Sequence, residues 1–429
     1  MRVAVVGAGV TGLAVAMASR APVFERADAP GGICRSYYLG PDGDGPHDRA
    51  PVGEEAFRFE TGGGHWIFGG DPGVLELLGA LCPFDRYERR ASVRLGGLGI
   101  TVPYPLQRHL ELLGPELAAR VGSELAGRAD PAEPPPTLAG WLDRSFGPTL
   151  CDLFFLPFHD RYTAGLTATV APQDDDKSPA VASGAPPGPI GYNAAFGYPR
   201  GGLDVLLAAM AGGCDVRYGK RLVGVDRSAR VLQFGDGTEK GYDTLVSTLP
   251  LSEMVTLAGL ELASGPDPHT SVLVLNIGAV RGPRCPGSHW EYEADSGAGF
   301  HRIGYYSNVD PSFLPRSERA GGRLVSLYVE RAYPAGKPPT PGEVAGYASA
   351  VTAELQGRGT IGETLVVDPS WVDVAYTWRV PGSRWRDEAL RALAGSGIRQ
   401  VGRYGRWQFQ GIAESVAEGW ALGLELRAR

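Results

Sequence analysis

The first 25 residues constrain this chain more than any other stretch. Arg2-Val-Ala-Val-Val6 has the apolar character of a short buried strand, and the run Gly7-Ala-Gly-Val-Thr-Gly12 leads into a helical segment from Val10 to Ser19. Pro22-Val-Phe-Glu25 follows as a second strand that ends in an acid. A strand, a Gly-x-Gly-x-x-Gly turn and a helix open a βαβ unit in which backbone N–H groups and the helix N-terminus face a pyrophosphate. Glu25, at the end of the second strand, is placed to accept hydrogen bonds from both hydroxyls of a ribose. The crossover is shorter than usual, so the helix must be short.

Val3 to Ser19 could also be read as a leader or a short membrane segment, because it is apolar and follows Arg2. Gly7, Gly9 and Gly12 interrupt it, and no later run reaches the roughly 18 apolar residues that a span needs. A cytoplasmic protein without a membrane span is expected. The 429 residues are 43% hydrophobic and 21% charged, with a net charge of −7. That composition excludes global disorder and argues against nucleic acid or an anionic membrane as the main partner. Only four lysines occur (Lys177, Lys220, Lys240, Lys337) among 41 basic residues, and Gly reaches 62. The bias follows GC-rich codons, so an isolated Gly or Arg carries little information. The five cysteines never form a C-x-x-C pair, which gives no disulfide framework. Only Cys285 and His289 approach ligand spacing, and no metal is expected.

Strand patterns recur at Phe57–Glu60, 215–218, 221–226, 229–234, 244–250, 271–280, 299–306, 323–329, 372–378 and 398–402. Helical periodicity marks 73–81, 106–113, 116–126, 138–145, 149–156, 201–211, 341–355 and 412–425, and 129–136 reads as a Pro-rich linker or stiff surface loop. The acidic run Asp174-Asp-Asp-Lys-Ser-Pro179 reads as a solvated loop.

Several motifs now agree. Gly7-x-Gly-x-x-Gly12, Glu25 and Pro30-Gly-Gly-x-x-Arg35-Ser resemble the FAD-binding entry segment of the amine oxidase and protoporphyrinogen oxidase superfamily. Val401-Gly-Arg-Tyr-Gly-Arg-Trp407 with Gly411-Ile-Ala-Glu-Ser-Val416 is similar to its closing flavin motif. Gly62-Gly-Gly-His-Trp-Ile-Phe68, Val102-Pro-Tyr-Pro-Leu-Gln107, the run from Gly191 to Leu203 and Phe300-His-Arg-Ile303 look most like the UDP-galactopyranose mutase branch. The resemblance implies an α/β fold: a Rossmann-type, GR2-like FAD-binding domain with an inserted α+β substrate domain that contains an antiparallel sheet. The expected division assigns 1–75, 215–265 and 395–429 to the cofactor and 76–214 and 266–394 to the substrate.

The expected FAD contacts are Gly7, Gly9, Gly12, Glu25, Gly31, Gly32, Arg35, Gly63, Gly64, Val223, Gly402, Arg403, Gly411 and Ile412. Val223 belongs to a backbone segment, Leu222–Val225, like the one on which adenine packs in relatives. A second phosphate-contacting element at Gly31, Gly32 and Arg35 favours FAD over a nicotinamide cofactor. His65 and Arg302 are the candidate catalytic residues, His65 beside the flavin ring and Arg302 gripping an anionic group of the substrate. Tyr104, Tyr192, Asn193, Phe196, Tyr376 and Trp407 join Arg302 as candidate substrate contacts, with core packing as the alternative for about half the aromatics.

Two chemistries share this fold. In one, FAD takes a hydride from a carbon bearing oxygen or nitrogen in a small polar substrate, sugar-like or nucleotide-linked, in a biosynthetic pathway. In the other, a redox-neutral sugar mutase uses the N5 atom of reduced flavin as a nucleophile to contract a pyranose ring. The segment before Tyr192 lacks the arginine that mutases carry, and Gly411 and Ala413 stand where they carry acids. UDP-galactose is therefore not the expected substrate. No lysine lies between Lys240 and Lys337, which disfavours fast reaction with oxygen. A flavin-fold protein that binds without catalysis is the third possibility. Oxidoreduction on a small-molecule substrate, a nucleotide sugar among the candidates, is the leading expectation.

Overall fold

A computed structural model describes residues 1–127, 135–173 and 194–429. Tyr192, Asn193 and Asp174–Pro179 lie outside the described residues, as does most of 129–136. The opening unit folds as its pattern requires, with strand Val3–Val6, helix Val10–Ser19 and strand Val23–Phe24. These strands join Val216–Arg217, Thr244–Ser247 and Ile398–Gln400 in a five-stranded parallel sheet, although the segments are far apart in sequence. Alternation along the strands sends Val5, Val23 and Val246 into one hydrophobic layer and Ala4, Val6, Phe24 and Leu245 into the other. Helices Val10–Ser19 and Ile412–Ala428 cover the first layer, and Leu251–Leu257 with Trp385–Gly395 cover the second.

Helix Ile412–Ala428 approaches the opening helix so closely that side chains are excluded at two positions. A Cβ on Gly419 would lie 2.5 Å from the Thr11 carbonyl oxygen, and one on Gly423 would lie 2.5 Å from that of Val15. The C-terminal helix is therefore clamped against the helix that follows the glycine turn.

A seven-stranded sheet forms the second body of the fold, in the order Ile361–Thr377, His269–Arg281, Leu324–Pro334, Arg302–Gly304, Trp290–Glu293, Ala91–Leu95, Ile100–Pro103. Neighbours are antiparallel except Trp290–Glu293 with Ala91–Leu95. Directly opposed residues share a face, so register fixes which side chains meet. Tyr292 opposes Arg302, and Arg302 opposes Glu330, which places the three in one row. Helix Pro341–Arg358 packs its Tyr347, Val351 and Leu355 on the apolar cluster of this sheet.

Some local expectations fail for physical reasons. Residues 106–113 form two short 3₁₀ turns, Leu106–Arg108 and Leu110–Leu113, because His109 leaves the helical region at φ −129°. The strand expected at 299–306 is confined to Arg302–Gly304, and Tyr306–Val309 turns helical. The two helices expected at 138–145 and 149–156 are present, parted by Gly147, whose φ of 76° and ψ of 163° are not helical; the second does not end at 156 but passes through a π-helical turn, Cys151–Phe155, into helix Leu156–Tyr162. That turn sets Phe158 and Tyr162 on the wall of the central cavity.

Candidate active site

A cavity of about 920 Å³ joins the two bodies of the fold, from Gly7, Glu25 and Lys220 at one end to Tyr104, Phe158 and Arg302 at the other. The glycine turn forms the first end, and its three glycines are bare for different reasons. Gly7 has φ +97°, and a Cβ there would lie 2.1 Å from Thr248 Oγ1. A Cβ on Gly12 would lie 1.9 Å from the Gly7 carbonyl oxygen. Gly9 has φ −74° and ψ 177°, and a Cβ there would meet nothing within 4 Å. The protein itself needs Gly7 and Gly12, whereas the space over Gly9 opens into the cavity.

The Glu25 carboxylate is buried and accepts hydrogen bonds from the N–H groups of Ala8 (2.7 Å) and Ala27 (2.9 Å), which fix it beside the turn. Gly31 and Gly32, at φ +126° and +58°, border the same space, and the Gly31 N–H donates to the Ala8 carbonyl at 2.9 Å. Arg35 lines the wall, paired with Asp28 at 3.2 Å and with Asp48. Val223 does not line the cavity and is 50% exposed, while its neighbour Leu222 faces in. The pairing shifts between Leu222 and Gly224, and at this bulge the Val223 side chain turns outward; the packing of adenine expected on this segment is on its backbone.

At the middle of the cavity stand Gly64, His65, Gly402, Arg403, Gly411 and Ile412. Gly63 lies behind the wall. A Cβ on it would approach Glu330 Oε1 to 2.8 Å, and one on Gly64 would approach the Tyr328 hydroxyl to 2.5 Å, so both glycines admit the neighbouring sheet. His65 is anchored twice: its N–H donates to Glu60 Oε2 at 3.0 Å, and its Nδ1 lies 2.8 Å from the Gly63 carbonyl. A carbonyl can only accept, so Nδ1 carries the proton. Burial lowers the imidazole pKa to about 4, beyond what the Gly63 hydrogen bond restores, and the ring is neutral near pH 7. Its Nε2 is an acceptor without a partner among the described residues. Glu60 is fully buried, and burial pushes its carboxyl to about 8 even though the Tyr198 hydroxyl donates to it at 2.6 Å. Arg403 donates to the Ala375 carbonyl at 3.1 Å and packs on the rings of Tyr376, Tyr404 and Phe409.

The sheet row supplies the far end. Arg302 is ion-paired with Glu330, whose other oxygen lies 3.5 Å from His301 Nε2. Burial alone would raise the Glu330 pKa, but Arg302 and His301 outweigh it and hold the carboxylate at about 2. The guanidinium of Arg302 packs 5.6 Å from the Tyr328 ring centroid. Tyr104 and Tyr376 line this end, joined by Tyr292, Phe158 and Tyr162. Phe196 and Trp407 do not. Phe196 is 3% exposed among Trp66, Phe68 and Tyr87, and Trp407 is 1% exposed against Trp385 with its indole N–H on the Trp378 carbonyl. Both are core residues, because the short strand around Phe196 and the turn after Gly405 point them into apolar clusters. Cys285 and His289 do not converge on a metal: the thiol sulfur faces Arg281, and the imidazole bonds to Arg90.

The geometry is that of a long nucleotide cradle opening on a polar, aromatic chamber. The sequence profile of flavin-containing amine oxidoreductases matches residues 19–415. The chain belongs to that family. Its fold is similar to that of reduced UDP-galactopyranose mutase, with a TM-score of 0.83 at 20% identity over 98% of this chain and 94% of that one. A CLA-producing fatty acid isomerase from P. acnes is also similar, at TM-score 0.59 and 15% identity over 98% of this chain and 97% of that one. So is a double mutant of putrescine oxidase, at TM-score 0.57 and 16% identity over 100% of this chain and 99% of that one. No curated protein matches the chain. FAD is the cofactor of this family member, and the residues fit it: the bare cradle over Gly9, the acid at Glu25 and a cavity of about 920 Å³ that both of them line.

Proposed function

We propose that the chain is an FAD-dependent oxidoreductase acting on a small polar substrate, sugar-like or nucleotide-linked, bound at the Arg302–Glu330 end of the cavity. The observation that supports it is the single cavity shared by the glycine cradle, His65 and that ion pair. In this reading Gly7, Gly9, Glu25, Gly32 and Arg35 hold the nucleotide half of FAD, and Gly64, Gly402, Arg403 and Gly411 border the flavin. The division into 1–75, 215–265 and 395–429 for the cofactor and 76–214 and 266–394 for the substrate belongs to the same proposal. When bound, FAD supplies hydride acceptance from a carbon bearing oxygen or nitrogen. His65 Nε2 accepts a hydrogen bond from the substrate hydroxyl and takes its proton as the carbon is oxidised. Arg302 donates to substrate oxygens while Glu330 accepts from hydroxyls, so the pair orients a polyol. Phe158, Tyr162 and Tyr376 supply the aromatic walls that stack on a ring and exclude water.

A second reading, redox-neutral rearrangement of a sugar, has support from the likeness to the mutase fold and from the lysines. Among the described residues only Lys220 lines the cavity, at the Glu25 end, where its ammonium pairs with Asp236. Anaerobic incubation of oxidised and dithionite-reduced enzyme with a panel of nucleotide sugars separates the two. Oxidoreduction bleaches the oxidised flavin and yields one oxidised sugar per flavin. Isomer formed only by the reduced enzyme, with no net reoxidation, replaces the first reading with the second. Among the described residues no helix is long and apolar enough to cross a membrane, and action in the cytoplasm is part of the proposal.

A further inference from the structure

Arg302 reaches the chamber with its charge already matched, because Glu330 is held ionised beside it. Two other guanidiniums line the cavity, Arg403 at its middle and Arg89 at this end. Arg403 is committed to the Ala375 carbonyl and to three aromatic rings. Arg89, between strands Phe84–Glu88 and Ala91–Leu95, is different. Its backbone N–H is bound to the Ala194 carbonyl at 3.0 Å, and its guanidinium lies 5.2 Å from the centroid of the Tyr104 ring. Among the described residues that guanidinium has no ion-pair or hydrogen-bond partner. It lines the cavity, and Tyr104 in turn stands 5.0 Å from Tyr292, whose ring is 5.3 Å from Phe158.

We propose that Arg89 anchors the substrate by an oxyanion, a phosphate or a carboxylate, and that the enzyme therefore takes an anionic substrate. The contact with the Tyr104 ring occupies none of the guanidinium N–H groups in a hydrogen bond to another side chain, which leaves them for a bidentate grip. The ring beneath also restricts the side chain, so less conformational freedom is lost on binding. The Arg302–Glu330 pair is neutral as a unit, which leaves Arg89 as the guanidinium at this end without a counter-charge among the described residues. Arg89 thereby takes the anion-gripping role that the sequence alone assigned to Arg302, and Arg302 orients neutral hydroxyls. The inference rests on the substrate site proposed above.

The test is titration of the FAD-loaded protein with UDP, with glucuronate and with glucose as a neutral control, read by the change in flavin absorbance. Wild type, Arg89→Ala, Arg89→Lys and Arg302→Ala are compared at equal FAD content and melting temperature. A charge-assisted hydrogen-bond pair of this kind corresponds to about a ten- to hundredfold rise in Kd for Arg89→Ala, with Arg89→Lys between it and wild type. Loss for UDP identifies a phosphate, loss for glucuronate alone a carboxylate, and glucose is unaffected in either case. An unchanged Kd in Arg89→Ala, with weakening in Arg302→Ala, overturns the role of Arg89 and leaves the site standing. Failure of both anions to bind the wild type overturns the inference, and if glucose also fails, the proposed site falls with it.

Discussion

Replacing Gly9 with Ala separates what the protein needs from what its cofactor needs. The backbone there is extended, and a Cβ would meet nothing within 4 Å, so the flavin-free protein accommodates the methyl group. Gly→Ala at a compatible conformation stabilises by about 0.4 to 1 kcal/mol through the unfolded chain. A methyl group in the space of a pyrophosphate is overpacked by about 1 to 3 kcal/mol, which corresponds to a roughly five- to 150-fold rise in the Kd for FAD. Gly12→Ala is the contrast, since its Cβ would sit 1.9 Å from the Gly7 carbonyl oxygen. Both partners are backbone, so no rotamer relieves the clash, and stability and FAD binding fall together. The assay is thermal unfolding of deflavinated protein beside FAD titration by flavin fluorescence. Wild-type FAD affinity in Gly9→Ala would refute the placement of the pyrophosphate. Loss of flavin-free stability equal to that of Gly12→Ala would refute the open cradle.

Other outcomes follow from the same geometry. The folded pKa of His65, about 4, lies below its ordinary value of 6.5, so the native state binds fewer protons. Its stabilising contribution is complete above about pH 6.5 and is lost as pH falls towards 4. The melting-temperature gap between wild type and His65→Asn should narrow from pH 7.5 to 4.5, and a constant gap excludes a neutral buried imidazole. Single-turnover flavin reduction should slow in His65→Asn with FAD content retained. Glu330→Gln leaves the Arg302 guanidinium without its counter-charge and should destabilise by about 3 kcal/mol in thermal unfolding, less what the partly exposed arginine regains from water. The double variant Arg302→Met/Glu330→Gln should recover part of that loss. Gly423→Ala drives a Cβ against the Val15 carbonyl oxygen and should lower stability by about 1 to 3 kcal/mol without a direct change in the chamber.

The parts of the fold legible in the sequence are those set by local backbone chemistry. Helix Val10–Ser19 and the acid at Glu25 follow from the turn glycines and from apolar runs that need no distant partner. The closing segment was legible by its resemblance to a known flavin motif; the structure adds that Gly402 has φ +79° and that a Cβ there would lie 2.5 Å from Thr11 Oγ1. Glu330 was not, because its meaning comes from the register that sets it opposite Arg302 28 residues away. Nothing near Glu330 in the sequence marks it as buried or paired. Arg89 and Tyr292 depend in the same way on strands whose neighbours come from remote segments. A weak signal existed for Phe158 and Tyr162, aromatics four residues apart on one helix face, though such a stripe is more often core. Phe196 and Trp407 show the reverse error, since an aromatic beside a functional motif is as readily packing as contact. Gly419 and Gly423 carried the small-residue spacing of close helix packing, hidden in a chain rich in glycine.

Whether the glycine cradle holds FAD is read from the absorbance spectrum and flavin content of the purified protein. The protein should be yellow and should release one FAD per chain on denaturation, with no flavin left covalently attached. A colourless protein that gains no bound-flavin spectrum when FAD is added would contradict the assignment of FAD.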